Sequence, residues 1–325
     1  MSVQQAPSPA EWVSTPVDGV EVLGALSPSR AGDFLTCPLL YRFRTVDRLP
    51  EPPSPDQVRG TVVHKVLEDL FDLPAVERTP EQAHAMLEPA WERLRAECPD
   101  VAEMLGEDGP DLTRWLASCA TVLERYFTLE DPQRLEPAER ELYVESLLDS
   151  KLLLRGFVDR VDVAPDGSIR IVDYKTGRSP AAGFEARALF QMKFYALVVW
   201  RTRGVVPAVL QLVYLGNGEI LRYRPDEQDL LATERKVEAI WRAIRSAEET
   251  GDWRPRRSRL CDWCQHRSLC PEWGGTPPPL PEPVVRDAGV GGVAVGDAVV
   301  SETAVGDVVV SDSAAAVDPG APSGA

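Results

Sequence analysis

The chain of 325 residues lacks several features that would settle its class at once. No apolar run approaches the roughly 20 residues that cross a bilayer, so no helical membrane span and no membrane partner are expected. The opening MSVQQAPSPAEWVSTPVDGV has neither the basic start nor the apolar centre of a secretory signal, and a cytoplasmic protein is expected. The six cysteines, at 37, 98, 119, 261, 264 and 270, therefore read as thiols or metal ligands rather than a disulfide framework. There is no G-x-x-x-x-G-K-S/T loop, which excludes a nucleotide-driven motor within the chain. Basic residues are also in deficit: 35 Lys and Arg against 51 Asp and Glu give a net charge of −16, which at first speaks against a polyanionic partner. That argument weakens on inspection. Seven acids and one Arg lie from Gly274 onward, so this tail carries −6 and the remainder −10. Arg is much commoner than Lys and is clustered.

What is present suffices for one large domain or two ordinary ones, with 44% hydrophobic residues. Residues 1–25 are rich in Pro, Ser and acids and read as a flexible N-terminus. A helix is expected to start in LSPSRAGDFLTCP, capped by Ser27 or Ser29 with Pro28 in its first turn. QVRGTVVHKVLEDLFD (57–72) has apolar residues at helical spacing, and further amphipathic helices fit 80–97 and 111–130 within a helical insertion at about 74–135. Strand patterns follow from about 140 to 175, with Asp166-Gly167 as a hairpin turn. A helix at about 183–201, two strands around Asn217-Gly218 and a helix at about 226–250 complete the order. That order predicts an α/β protein with a mixed sheet flanked by helices. From residue 274 a Val/Ala/Gly-rich acidic segment, containing the repeat AVGDAVVSET–AVGDVVVSDS, reads as a disordered tail.

The chemistry concentrates in GFVDRVDVAPDGSIRIVDYKTG (156–177). On a strand Asp173 and Lys175 share a face. Pairing through the Asp166-Gly167 turn sets Asp159 opposite Asp173, so two carboxylates and an ammonium converge. Two such carboxylates repel unless a hard divalent ion, Mg²⁺ or Mn²⁺, sits between them. His64 lies on the predicted helix with Glu68 one turn on, and Gln191 and Tyr195 form an i, i+4 polar pair in FQMKFYAL.

GTVVHKVLE, GFVDRVD, VDYKTG and QMKFY, in this order over about residues 26–273, closely resemble the PD-(D/E)XK nucleases of the RecB-like exonuclease family. The resemblance implies a restriction-endonuclease-like core and hydrolysis of DNA phosphodiesters. It implies that His64, Asp159 and Asp173 hold the catalytic metal, that Asp159, Asp173 and Lys175 are catalytic, and that Gln191 and Tyr195 position substrate. Asp173 stands where many members carry Glu.

Cys261, Cys264 and Cys270 follow C-x2-C-x5-C, and Cys37 is the candidate fourth ligand. Spacing alone leaves Zn²⁺ and an iron–sulfur cluster open, with His266 able to enter a zinc site. One N-terminal Cys plus a C-terminal trio resembles the 4Fe–4S staple of AddB-type nucleases and of small CRISPR-associated nucleases. RPRRSR (254–259) places Arg254, Arg256, Arg257 and Arg259 nearby, and Arg30, Arg42 and Arg44 flank Cys37, a candidate surface for phosphates. Trp253 and Trp263 could stack on bases or pack over the cluster.

The expectation is thus a metal-dependent deoxyribonuclease, an exonuclease preferring single strands or ends. It would serve DNA repair or recombination, alone or with a separate helicase or recombination protein. The alternatives are a CRISPR-associated nuclease trimming DNA for spacer acquisition and a non-catalytic DNA-binding module. Nothing in the sequence sets polarity of digestion or oligomeric state.

Overall fold

The computed structural model describes residues 20, 22–105, 110–180 and 186–281. Most of the acidic tail, its repeat included, and most of the N-terminal segment lie outside them. Among the described residues six strands form one mixed sheet: β1 (Gly24–Leu26), β2 (Glu139–Leu147), β3 (Leu152–Val163), β4 (Ile169–Lys175), β5 (Val209–Tyr214) and β6 (Glu219–Tyr223). The twelve residues of β3 organise it. One edge pairs antiparallel with β2; the other carries β1, parallel, at its start and β4, antiparallel, at its end. β5 continues parallel to β4, and β6 closes the far edge antiparallel to β5.

Among the described residues nine α-helices accompany the sheet: α1 (Pro28–Thr36), α2 (Pro38–Tyr41), α3 (Pro55–Leu70), α4 (Pro80–Ala85), α5 (Leu87–Glu97), α6 (Pro99–Leu105), α7 (Pro110–Leu129), α8 (Ala186–Arg203) and α9 (Glu227–Thr250). Their starts follow the local chemistry. Ser27 caps α1 by accepting from the Arg30 amide, with Pro28 in the first turn. Ser54 and Gln57 form a reciprocal capping box on α3, and Asp226 with Asp229 forms one on α9. The glycines of the two hairpin signals, Gly167 at φ +84° and Gly218 at φ +71°, occupy the left-handed conformation those turns require.

The sheet separates two cores. Ile169, Ile171, Leu210 and Leu212 pack beneath α1, α8 and α9, while Val172, Tyr174, Val213 and Leu215 face α3 and the helical insertion. Alternation along β4 and β5 thus divides the fold in two. The insertion is more segmented than its periodicity suggests: the predicted 80–97 helix breaks at Met86, and α6 is added after Cys98. The three residues of β1 were placed by sequence in the N-terminal segment and at its boundary; they add a parallel rung to β3.

Candidate active site and cysteine cavity

The β3–β4 ladder pairs Arg160 with Val172 and Val161 with Ile171, so Asp159 and Asp173 are the next opposed positions, as the hairpin turn predicts. The β2–β3 ladder pairs Arg140 with Arg160 and Leu142 with Val158, which sets Glu141 opposite Asp159. Glu141, Asp159 and Asp173 therefore form a row across three neighbouring strands. The regular pairing is interrupted at Glu141–Asp159, and Glu141 has φ +43°, rare for a residue with a side chain. The alternation of β3 slips at this break: Val158 and Val161, three positions apart, enter the same core. Backbone distortion at a cluster of polar side chains marks a place where function has overridden sheet regularity.

α3 brings His64 onto this row. Its Nε2 donates to the carbonyl of Tyr174 at 2.9 Å, while Nδ1 faces Asp159 Oδ2 at 3.6 Å and Glu141 Oε1 at 3.9 Å. Donor atoms of these three residues all lie within 4.8 Å of one another. Asp159 Oδ2 is itself fixed by the backbone amide of Tyr174 at 2.6 Å. Asp173 is not part of that close group. Its carboxylate is held by Lys175 Nζ at 3.0 Å and by Gln191 Nε2 at 3.1 Å, and Lys175 donates in turn to Gln191 Oε1 at 3.1 Å. Gln191 Nε2 also reaches the Tyr195 hydroxyl at 3.3 Å. The structure thus brings together Asp159, Asp173, Lys175, His64, Gln191 and Tyr195, and adds Glu141, which the sequence did not single out.

The profile of the PD-(D/E)XK nuclease superfamily matches residues 25–271, about three-quarters of the chain. The chain belongs to this superfamily. Among curated proteins, Gene 69 protein of Mycobacterium phage D29 is 29% identical over 200 residues, covering 55% of this chain and 70% of that protein. Gene 69 protein of Mycobacterium phage L5 is 22% identical over 300 residues, covering 78% and 98%. A crystal structure from Eubacterium rectale, of a protein named as a candidate exonuclease, matches with a TM-score of 0.50 at 16% identity, over 74% of this chain and 87% of that one. Its likeness supports the fold, a restriction-endonuclease-like mixed sheet with flanking helices.

The protein is accordingly a metal-dependent nuclease, and its residues can be tested for their fit to a divalent ion. Nδ1 of His64 is buried and has no hydrogen-bond partner. With Nε2 donating to a carbonyl, Nδ1 presents its lone pair to two carboxylates, an arrangement that a cation or a proton must relieve. Burial opposes charging of His64, but Asp159, Glu141 and Asp173 outweigh it and raise its pKa. Burial and the neighbouring Asp159 charge push Glu141 up to about 8, against a smaller opposing effect of His64. Carboxylate oxygens suit Mg²⁺ or Mn²⁺, and the single imidazole nitrogen among them is a donor that the transition ion Mn²⁺ accepts more readily than Mg²⁺. The residues fit.

A second cavity, about 510 Å³ including the space open to solvent, is lined by Cys37, Cys261, Cys264 and Cys270. The junction of α1 and α2 supplies Cys37, and short 3-10 turns over Arg259–Trp273 supply the rest. Backbone amides donate to two sulfurs: Arg256 to Cys37 at 3.3 Å and Ser258 to Cys261 at 3.4 Å. Burial raises the pKa of Cys264 and Cys270, and the nearby thiols of Cys37 and Cys261 add to the rise. Cys98 and Cys119 sit apart, within the helical insertion. His266 points to Glu51, 2.7 Å from its carboxylate, and does not line this cavity.

The arginines divide. Arg42 is buried on Asp47 and the carbonyl of Pro278, and Arg44 joins Asp33 at 2.7 Å to Glu51 at 2.8 Å. Both are structural, which corrects their expected place on a phosphate-binding surface. Arg256 donates to the Leu35 carbonyl, Arg257 and Arg267 lie over the Trp273 ring, and Arg254 pairs with Asp252 at an exposed position. Arg259 opens the first cysteine turn and is exposed. Trp253 is buried against Tyr41, whereas Trp263 is 50% exposed.

Proposed function

We propose that the protein is a RecB-like DNA exonuclease, acting on single strands or DNA ends in repair or recombination, with Asp159, Asp173 and Lys175 as catalytic residues and His64, Asp159, Asp173 and Glu141 as metal ligands. The observation that carries this reading is the meeting of His64, Glu141 and Asp159 beside the Asp173–Lys175–Gln191 chain. When bound there, a divalent ion supplies Lewis-acid stabilisation of phosphate charge and lowers the pKa of its water. The protein's own groups do the rest. Tyr174 holds His64 and Asp159 through its backbone, so neither ligand must reorganise when charge develops. Lys175 places a fixed ammonium beside Asp173, where it can hold the attacking water and offset charge on the phosphorane. Gln191 aims both Lys175 and Asp173, and Tyr195 braces Gln191.

In the same reading the four cavity cysteines hold a structural 4Fe–4S cluster. What supports this reading is the C-x2-C-x5-C trio meeting a distant N-terminal cysteine in one cavity, the pattern that resembles the 4Fe–4S staple, while His266 turns away to Glu51. The binding energy of the cluster would then stabilise the joint between the first helices and the end of the domain. Arg254, Arg256, Arg257 and Arg259 beside it are the proposed phosphate contacts.

The test is cleavage of end-labelled single- and double-stranded linear DNA with Mn²⁺ or Mg²⁺, using protein purified without oxygen beside Lys175→Ala. Metal-dependent release of nucleotides from ends, lost in the variant, supports the reading. Cleavage at internal positions of a closed circle, or none by intact protein, overturns the exonuclease assignment.

A further inference from the structure

Beside the carboxylate row, on the side of the sheet that faces α3 and the helical insertion, lies a buried ion network with no part in the chemistry proposed above; Arg160 and Tyr174 line the same pocket as His64, Glu141 and Asp159. Arg160, next in sequence to Asp159, is only 1% exposed. Its guanidinium is gripped bidentately by Glu130, at 2.8 and 2.9 Å, and its Nε lies 3.1 Å from Asp162. Gln211 on β5 donates to the same Glu130 carboxylate at 2.8 Å. Arg160 also donates to the Tyr174 hydroxyl and stacks over the rings of Tyr174 and Phe71. Removing so much charge from water is costly. Apolar side chains would fill this position between two helices and the sheet more cheaply, so the network calls for an explanation.

Tyr174 supplies one. Its side chain ends in this network, while its peptide groups end in the active site: the amide fixes Asp159 Oδ2, and the carbonyl accepts from His64 Nε2 and so sets the tautomer that turns the Nδ1 lone pair toward the carboxylates. The same ring meets Tyr126 of α7 edge-on at 5.8 Å. Glu130 directly follows α7. One turn earlier, Arg125 grips the carbonyls of Leu215 and Gly216, whose amides bond to the carbonyls of Lys175 and Gly177. α7 therefore holds β4 both through the Tyr174 side chain and through the backbone just past Lys175.

We infer that Glu130, Arg160 and the Tyr174 side chain are positioning residues, by which the helical insertion sets the orientation of His64 and Asp159 and hence the affinity of the active site for its metal. The inference rests on the proposed metal site. It assigns the insertion a role in the chemistry that its sequence does not announce. Outer partners of metal ligands commonly govern affinity in this way, and losing one weakens binding about 10- to 100-fold.

The experiment measures Mn²⁺ binding by calorimetry alongside thermal unfolding of the metal-free protein, for wild type, Tyr174→Phe and the double variant Glu130→Leu/Arg160→Met. Tyr174→Phe deletes one hydroxyl and leaves the peptide in place. The double variant replaces the ion pair by apolar groups and keeps the fold where a single charge deletion could lose it. The inference expects both to unfold cooperatively near the wild-type temperature and to bind Mn²⁺ at least 10-fold more weakly. A folded protein with wild-type Mn²⁺ affinity in either variant overturns it, and so does a loss of affinity that tracks lost stability alone. Wild-type protein that binds no Mn²⁺, or binds it equally well as His64→Ala, instead overturns the metal site on which the inference stands.

Discussion

Glu141 and Asp159 oppose each other at the point where the β2–β3 ladder is interrupted, and both carboxylates turn toward Nδ1 of His64. The sheet gives up a regular pair to gather acids at one point. This links backbone strain, electrostatic repulsion and metal binding, and the consequences can be measured.

Glu141 has φ +43°, a conformation that costs a residue with a side chain about 1 kcal/mol or more and glycine almost nothing. Its carboxyl is also repelled by Asp159. Glu141→Gly removes both penalties. The metal-free variant is expected to melt about 2–4 °C higher at pH 8 for each kcal/mol recovered. It should lose at least 10-fold in Mn²⁺ affinity and in cleavage. A variant that is less stable yet binds metal normally would show that Glu141 is a structural residue at a bulge.

The pH dependence follows from the same pair. Burial and Asp159 raise the folded-state pKa of Glu141 to about 8, above the ordinary carboxylate value of 4.5. A raised pKa means the folded protein holds a proton that the unfolded chain has released. The stability this contributes is complete below pH 4.5 and is lost as pH rises through 8. Melting of the metal-free protein should therefore fall between pH 5.5 and 8.5, and less so in Glu141→Gln. Saturating Mn²⁺ should flatten the decline. Binding should release protons at pH 7, seen as calorimetric heats that vary with the ionisation enthalpy of the buffer.

Much of this was legible beforehand, because hairpin turns fix register: Asp166-Gly167 set Asp159 against Asp173, and the helical spacing of Gln191 and Tyr195 put both on one side of α8. Glu141 was not legible. In ERELYV it looks like the polar half of an alternating strand, and only the break opposite Asp159 turns it inward. Arg42 and Arg44 misled for a similar reason. Beside Cys37 they suggest a basic surface, but a π-helical turn over Arg42–Val46 carries them to Asp47, Asp33 and Glu51. Residues of high local charge reveal their partners only when distant loops are placed.

The cysteine cavity separates ligands from bystanders. Cys37→Ser, Cys261→Ser, Cys264→Ser and Cys270→Ser should each abolish bound iron and visible absorption and lower the melting temperature, since the proposed cluster would join segments more than 200 residues apart. Cys98→Ser should retain both. Iron bound at wild-type level in any of the four variants would remove that residue from the ligand set, and zinc without iron in anaerobically purified protein would replace the cluster by a single ion.

Gly156 opens the GFVDRVD stretch and lies against Tyr195, three residues before Asp159. A β-carbon there would stand 2.8 Å from Cε1 of Tyr195 and 3.5 Å from Pro28. The Tyr195 ring is 7% exposed on a helix packed flat on the sheet, so it has little room to retreat. Gly156→Ala should cost about 1–3 kcal/mol through overpacking. It should also push the Tyr195 hydroxyl away from Gln191, freeing the amide that holds Asp173 and Lys175. The expected signature is a fall in kcat larger than the change in KM, with Mn²⁺ affinity at the His64 side of the row little altered. The added variant Tyr195→Leu, smaller and without the hydroxyl, should restore the stability lost in Gly156→Ala but not the rate. Recovery of both would mean that Tyr195 only fills space, and that glycine is required here for packing rather than for aiming Gln191.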